Sequence, residues 1–165
     1  MNIGLYVHIP FCQQKCFYCD FPSFAGQENL QGAYMAALNK EIFIQSGYNY
    51  NAIDSIFIGG GTPSLLPIAQ YAVLFDGIRQ QLRLAHHCEI TMEANPATIE
   101  HAPFADYLAV GINRLSLGVQ SFNPDHLTKL GRIHSNDDAV SAIRNAREAG
   151  FQRVNVDLMH GLPEQ

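Results

Sequence analysis

Residues 6–21 read YVHIPFCQQKCFYCDF, an apolar strand-like start that runs into three cysteines, Cys12, Cys16 and Cys19, at the spacing CxxxCxxC. Three thiolates on one short loop can hold three corners of a cubane 4Fe–4S cluster and leave the fourth iron open to a non-protein ligand. Such a loop supplies a one-electron store and a free coordination site together. Two plainer readings stand beside it. A structural zinc site wants four ligands, usually with a second knuckle, and the sequence offers none. A disulfide framework wants an oxidising compartment, yet no signal peptide is visible and three clustered cysteines leave one unpaired. The remaining cysteine, Cys88, opens the run CEITMEANP and is expected at the start of a strand, whereas the cysteine loop follows the end of one. A strand of about six residues separates those levels by roughly 20 Å, so Cys88 is expected to be a small buried hydrophobe.

Working outward, four more strand-like runs follow GLYVHIP (4–10): SIFIGG (55–60), EITMEAN (89–95), RLSLGVQ (114–120) and RVNVDLM (153–159). Helix-like segments lie between them. Leu30, Tyr34, Leu38 and Ile42 step by four, as do Leu74, Ile78 and Leu82. Residues 99–110 form a weaker helical candidate that Gly111 would stop, and the last helix is expected from Ser135–Asp138 to Gly150, with capping oxygens and negative charge at its start. Alternating β and α units imply parallel strands joined by right-handed crossovers.

The strands carry two phases. Ile56, Ile58, Ile90, Met92, Leu115, Leu117, Val119, Val154, Val156 and Leu158 make the apolar one; Tyr6, His8, Thr91, Glu93, Asn95, Arg114, Ser116, Gln120, Asn155 and Asp157 make the other. A parallel sheet covered by helices on both faces should be apolar in both phases, because unpaired polar groups are costly to bury. One persistently polar phase predicts a wet or ligand-filled lumen, hence an open or partial β/α barrel rather than a flat doubly wound sheet.

In such barrels the chemistry sits on loops after the strands, and here CQQKCFYC, GGGTPS, EANP, GVQSF and DLMHGLP each follow one. Gly59–Gly61 permit close backbone approach, but without the Gly-Lys-Ser/Thr of a P-loop or a GxGxxG spacing they do not read as a phosphate cradle. Taken singly, each candidate has an ordinary alternative. Three glycines make a tight turn, Glu93 a solvated strand end, Asp157 with Asn155 a satisfied polar pair, Arg132 an exposed helix-end residue, and Tyr18 a packed ring. His8 faces the lumen, and its ordinary alternative is to orient the loop. Their shared phase and rim position are what raise them.

At 165 residues with 47% hydrophobic and 15% charged residues, the chain reads as one globular domain, 1–165. The net charge of -5 provides no basic field for nucleic acid or an anionic membrane, and no apolar run reaches the roughly 20 residues of a membrane span, which favours a cytoplasmic location. The run NVDLMHGLPEQ stops on turn residues directly after a strand-like stretch, which is expected of an incomplete domain.

The runs YVHIPFCxxxCxYCDF, GGGTPSLL, TMEANP, GINRLSLGVQSF with LGRIHS, and NVDLMHGLP resemble the oxygen-independent coproporphyrinogen III oxidase family of radical SAM proteins across nearly the whole chain. The resemblance implies an α/β fold, a partial (β/α)6 radical SAM barrel, here truncated after about five strands, with the sixth strand and C-terminal region absent. It implies a 4Fe–4S cluster on Cys12, Cys16 and Cys19, with S-adenosyl-L-methionine (SAM) chelating the open iron, and SAM contacts from Tyr6, Tyr18, Gly60, Gly61, Thr62, Glu93, Gln120, Arg132 and Asp157. No residue is assigned a separate catalytic role. The porphyrinogen-oxidising members resemble CxxxCxxCxC, whereas this chain has Asp20 and Phe21 after the third cysteine. That departure resembles the heme-chaperone branch. It implies heme in the full-length protein, a heme acceptor and an electron donor protein as partners, with coproporphyrinogen oxidation in porphyrin biosynthesis, or a non-catalytic metal-binding module, as alternatives.

Overall fold

The structure is a computed structural model that describes residues 3–47 and 52–165. Five strands, β1 (Ile3–Ile9), β4 (Ile53–Gly60), β5 (Leu84–Ala94), β6 (Arg114–Gln120) and β7 (Arg153–Leu158), form one parallel sheet in the order β1-β4-β5-β6-β7. Each of these strands is laid beside the one before it, and the order never reverses. A doubly wound sheet has a reversal point, whereas sequential addition is how a β/α barrel grows. A second, two-stranded parallel sheet pairs β2 (Phe11–Cys12) with β3 (Phe24–Ala25).

The helices are α1 (Gln31–Gln45), α2 (Ile68–Gln81), α3 (Phe104–Val110), the short α4 (Pro124–Lys129) and α5 (Asn136–Glu148). Of these, α1, α2, α3 and α5 contribute to the core on the apolar phase of the sheet. Ile56, Ile58, Met92, Leu115, Leu117 and Val119 are buried against Leu74, Phe75, Ile78, Tyr107, Ala142 and Phe151 in one continuous core. Each large apolar side chain buried there contributes about 1.5–3 kcal/mol. The polar phase forms the other face in layers, because the register places Thr91 beside Arg114, Glu93 beside Ser116, and Ser116 beside Asn155. At its lower end Glu89 accepts from Arg114 (3.2 Å) and Arg153 (2.7 Å).

Four expectations need correction. The first helix begins at Gln31 after a 3₁₀ turn over Glu28–Leu30, so Leu30 is exposed and the buried residues include Met35 and Ile42, with Tyr34 and Leu38 partly buried. The segment 99–110 is broken into a 3₁₀ helix, Pro96–His101, and α3, because Pro103 sits at the start of α3 and fits a first turn but not a helix interior. Gly111 does stop α3, at φ 113°, with Ile112 N donating to Tyr107 O. Strand β5 begins at Leu84, so Cys88 lies within it, buried as expected. Leu158 is 60% exposed, because a register shift between Gly118 and Gln120 pairs it with Gln120 of the polar phase.

Candidate functional site

The loops that follow the five strands enclose a cavity of about 410 Å³ at the strand ends. Every site residue named from the sequence other than Tyr6 lines it: Cys12, Cys16, Tyr18 and Cys19 from the first loop, Gly60, Gly61 and Thr62 from the second, then Glu93, Gln120, Arg132 and Asp157. Tyr6 is elsewhere. It stacks on Phe57 across β1 and β4, and its hydroxyl meets His8 Nδ1 at 3.1 Å.

The cysteine loop is fastened at both ends. Pairing of β2 with β3 closes it, and Phe24 N donates to Pro10 O (2.7 Å). His8 Nε2 donates to Pro22 O at 2.8 Å, which leaves Nδ1 to accept from Tyr6. His8 is therefore an orienting residue for the loop. Thr62 Oγ1 donates to Cys12 Sγ (3.7 Å) and Arg132 Nη1 to Cys16 Sγ (3.3 Å). The loop also rests on the turn at Gly131, whose carbonyl accepts from Gln14 Nε2 (3.4 Å). Gly131 has φ 69°, and a Cβ there would stand 3.0 Å from the Phe17 ring, so glycine answers both to the backbone and to the space.

Gly61 brings its backbone close against the start of the cysteine loop. A Cβ on it would lie 2.5 Å from Phe11 O and 3.0 Å from Cys12 Sγ. Gly60, at φ 117°, donates its N–H to Glu93 Oε2 (3.1 Å). Burial, with the Asp157 charge adding to it, pushes the Glu93 carboxyl above the ordinary carboxylate range. Asp157 accepts from Ser116 Oγ (3.0 Å) and Asn155 Nδ2 (2.7 Å), so the Asn155–Asp157 pair is satisfied and still borders the cavity. Burial pushes the Tyr18 phenol up to about 12 and keeps it a neutral donor.

The donor set suits an iron–sulfur cluster with a small organic ligand beside it. Three thiols border one cavity, two of them already accept hydrogen bonds, and Gly61 leaves the room that any side chain would take. Arg132 offers a second sign: Nη2 donates to Gly118 O, while its buried Nε has no partner among the described residues. Among the described residues no three His, Cys, Asp or Glu side chains converge closely enough to hold a single metal ion. The thiols border the cavity rather than meeting at a point. Cys88 lies outside it, in the core.

The sequence reading did not single out several residues that complete the wall. Asn95 and Ser116 carried the signal of the polar phase, and Gly118 that of a glycine inside a strand, where something approaches closely. Met159 carried none.

The chain is 47% identical over 165 residues to the heme chaperone HemW of Escherichia coli (strain K12), covering 99% of this chain and 44% of that protein. It is 37% identical to the mitochondrial radical S-adenosyl methionine domain-containing protein 1 of Danio rerio, covering all of this chain and 37% of that one. It therefore spans less than half the length of these relatives. The solved structure of coproporphyrinogen III oxidase (HemN) from Escherichia coli, a radical SAM enzyme, matches with a TM-score of 0.90 at 33% identity, over 99% of this chain and 38% of that one. The archaeal Elp3 of Methanocaldococcus infernus matches in fold alone, with a TM-score of 0.61 at 18% identity. The sequence profile of the Radical SAM superfamily matches residues 6–165, and the chain belongs to that superfamily.

Proposed function

We propose that this chain is the cluster- and SAM-binding part of a HemW-like heme chaperone. The observation that carries the reading is the convergence of Cys12, Cys16 and Cys19 with Glu93, Gln120, Arg132 and Asp157 on one cavity. Cys12, Cys16 and Cys19 would hold a 4Fe–4S cluster, which when bound supplies one electron for reductive cleavage of SAM. Glu93, whose carboxylate is oriented by Gly60 N–H, would accept from ribose hydroxyls. Arg132 steadies Cys16 and brings positive charge for a carboxylate. Tyr18 would cover an aromatic base and exclude water.

The choice of chaperone over enzyme rests on Asp20 and Phe21 after the third cysteine and on the 47% identity to HemW. Heme, a heme acceptor and an electron donor belong to this reading as properties of the whole protein. The 0.90 TM-score to coproporphyrinogen III oxidase keeps porphyrinogen oxidation as the second reading. Anaerobic reconstitution decides the first level. About four irons and four sulfides per chain are expected, lost in C12A, C16A and C19A and kept in C88A. Full iron retention in any of the first three overturns the ligand assignment. Assay of the loaded full-length protein with heme and with coproporphyrinogen III decides the second, with heme binding and no porphyrinogen turnover expected.

A further inference from the structure

His134, in the run LGRIHS, is 3% exposed, and both nitrogens of its imidazole face polar atoms. Nε2 lies 3.0 Å from Val119 O and Nδ1 lies 3.2 Å from Asn95 Oδ1. A backbone carbonyl can only accept, which assigns the proton of a neutral imidazole to Nε2; Nδ1 stands against Asn95 Oδ1, which is itself held in place by accepting from Ala97 N (3.2 Å).

What those two partners carry gives the imidazole its meaning. Val119 O also accepts from Ser121 N (2.9 Å), closing a three-residue turn around Gln120. Gln120 is one of two non-glycine residues with positive φ among the described residues, at 69°, and such turns persist only where their surroundings hold them. The turn aims Gln120 into the cavity, and its carbonyl accepts from Met159 N (2.9 Å) at the end of β7. Asn95 stands two residues after Glu93, on the loop that follows β5. His134 itself follows Arg132 by two residues. One buried side chain thus ties together the three segments that present Gln120, Glu93 and Arg132.

We infer that His134 is a positioning residue for the cavity: by donating from Nε2 to Val119 O while packed against Asn95, it holds the turn that aims Gln120 beside the loop behind Glu93. Without the Nε2 donor the turn keeps its internal bond and the bond from Met159 N but loses its tie to the segment that carries Arg132, and Gln120 relaxes toward an ordinary backbone conformation. The inference rests on the reading that the cavity takes SAM, and its test separates the two.

The test compares H134L, which removes the bond to Val119 O and the polar contact with Asn95, with H134Q, whose amide nitrogen can stand near Nε2. In cluster-free protein, hydrogen exchange across residues 119–121 should quicken in H134L and return toward wild type in H134Q. In reconstituted protein of equal iron content, SAM affinity measured by calorimetry should fall about two- to tenfold in H134L and recover in H134Q. Adding Q120A should weaken wild type but cost H134L little further. If H134L fails to fold, the same readings on H134N, whose shorter amide falls short of Val119, replace it. Unchanged exchange with unchanged affinity overturns the role of His134. Wild-type protein that binds no SAM overturns the functional reading instead, and the exchange measurement still decides the lock.

Discussion

Glu93 is a carboxylate whose use depends on its charge. Burial and the Asp157 charge raise its pKa, so it takes up a proton at a higher pH than an ordinary glutamate. SAM affinity is therefore expected to weaken as pH falls through that raised value, since only the ionised form accepts from two hydroxyls. The stability linkage runs the other way. The folded state holds this proton more tightly than the unfolded one, so the group favours folding at acid pH and loses that contribution as pH rises from the ordinary carboxyl value through the raised one. Calorimetry of wild type and E93Q across this range checks the binding limb: E93Q should bind more weakly at neutral pH, with the pH slope reduced. An equal slope in both proteins removes Glu93 from the ligand contacts. Gly61 gives a second test at the same scale. In G61A the new Cβ meets the Phe11 backbone, so iron uptake should fall while G32A, where nothing lies within 4 Å, behaves as wild type. The cysteines were legible in the sequence because their spacing is itself the chemistry. Glu93, Gln120 and Asp157 were legible as a phase. His134 was not: alternation reports which face a strand residue takes, and it is silent about an imidazole in a turn that reaches back to a carbonyl fifteen residues earlier.

At the level of elements, what the sequence made plain was whatever hydrogen bonding within a few residues decides. Ser135 and Asp138 form a reciprocal capping box on α5, and the bonds from Ser135 hold the Asp138 carboxyl below its usual range. S135A should cost about 1 kcal/mol and lower the melting temperature by about 2–4 °C in a domain of this size, without changing iron content. His134, immediately before this cap, adds a pH dependence. Its burial, with Arg132 nearby, lowers its pKa from the ordinary 6.5 to about 4. The unfolded chain binds the proton more readily in that interval, so stability present above pH 6.5 is lost as pH falls toward 4, by at most about 3 kcal/mol. Denaturant titrations of the cluster-free protein should show that acid limb flattened in H134Q. The sequence was less informative where packing or proline overrides periodicity. Leu30 fits the α1 stripe yet falls one turn early, in the 3₁₀ segment, and Pro103 splits the run that 99–110 suggested. The pairing of β2 with β3 leaves too little chain for any period to register.

Across the molecule, a sheet built in chain order puts every strand-end loop on one rim, and the residues that border the cavity come from segments as far apart as Cys12 and Met159. A ligand that touches all of them binds only the assembled sheet. It must therefore stabilise the whole fold by mass action, by about 2.7 kcal/mol at a hundred times its dissociation constant. For a domain of this size that is a rise in melting temperature of about 5–11 °C. Anaerobic melting of reconstituted protein with increasing SAM should show this rise growing with the logarithm of SAM concentration. The cluster-free triple variant C12A/C16A/C19A should show a smaller rise, because Glu93, Gln120 and Asp157 remain while the iron proposed to anchor one end of the ligand would be gone. A rise of equal size in both proteins would place SAM on the strand ends without the cluster. No rise in either would leave the five loops converging on a cavity made for something else.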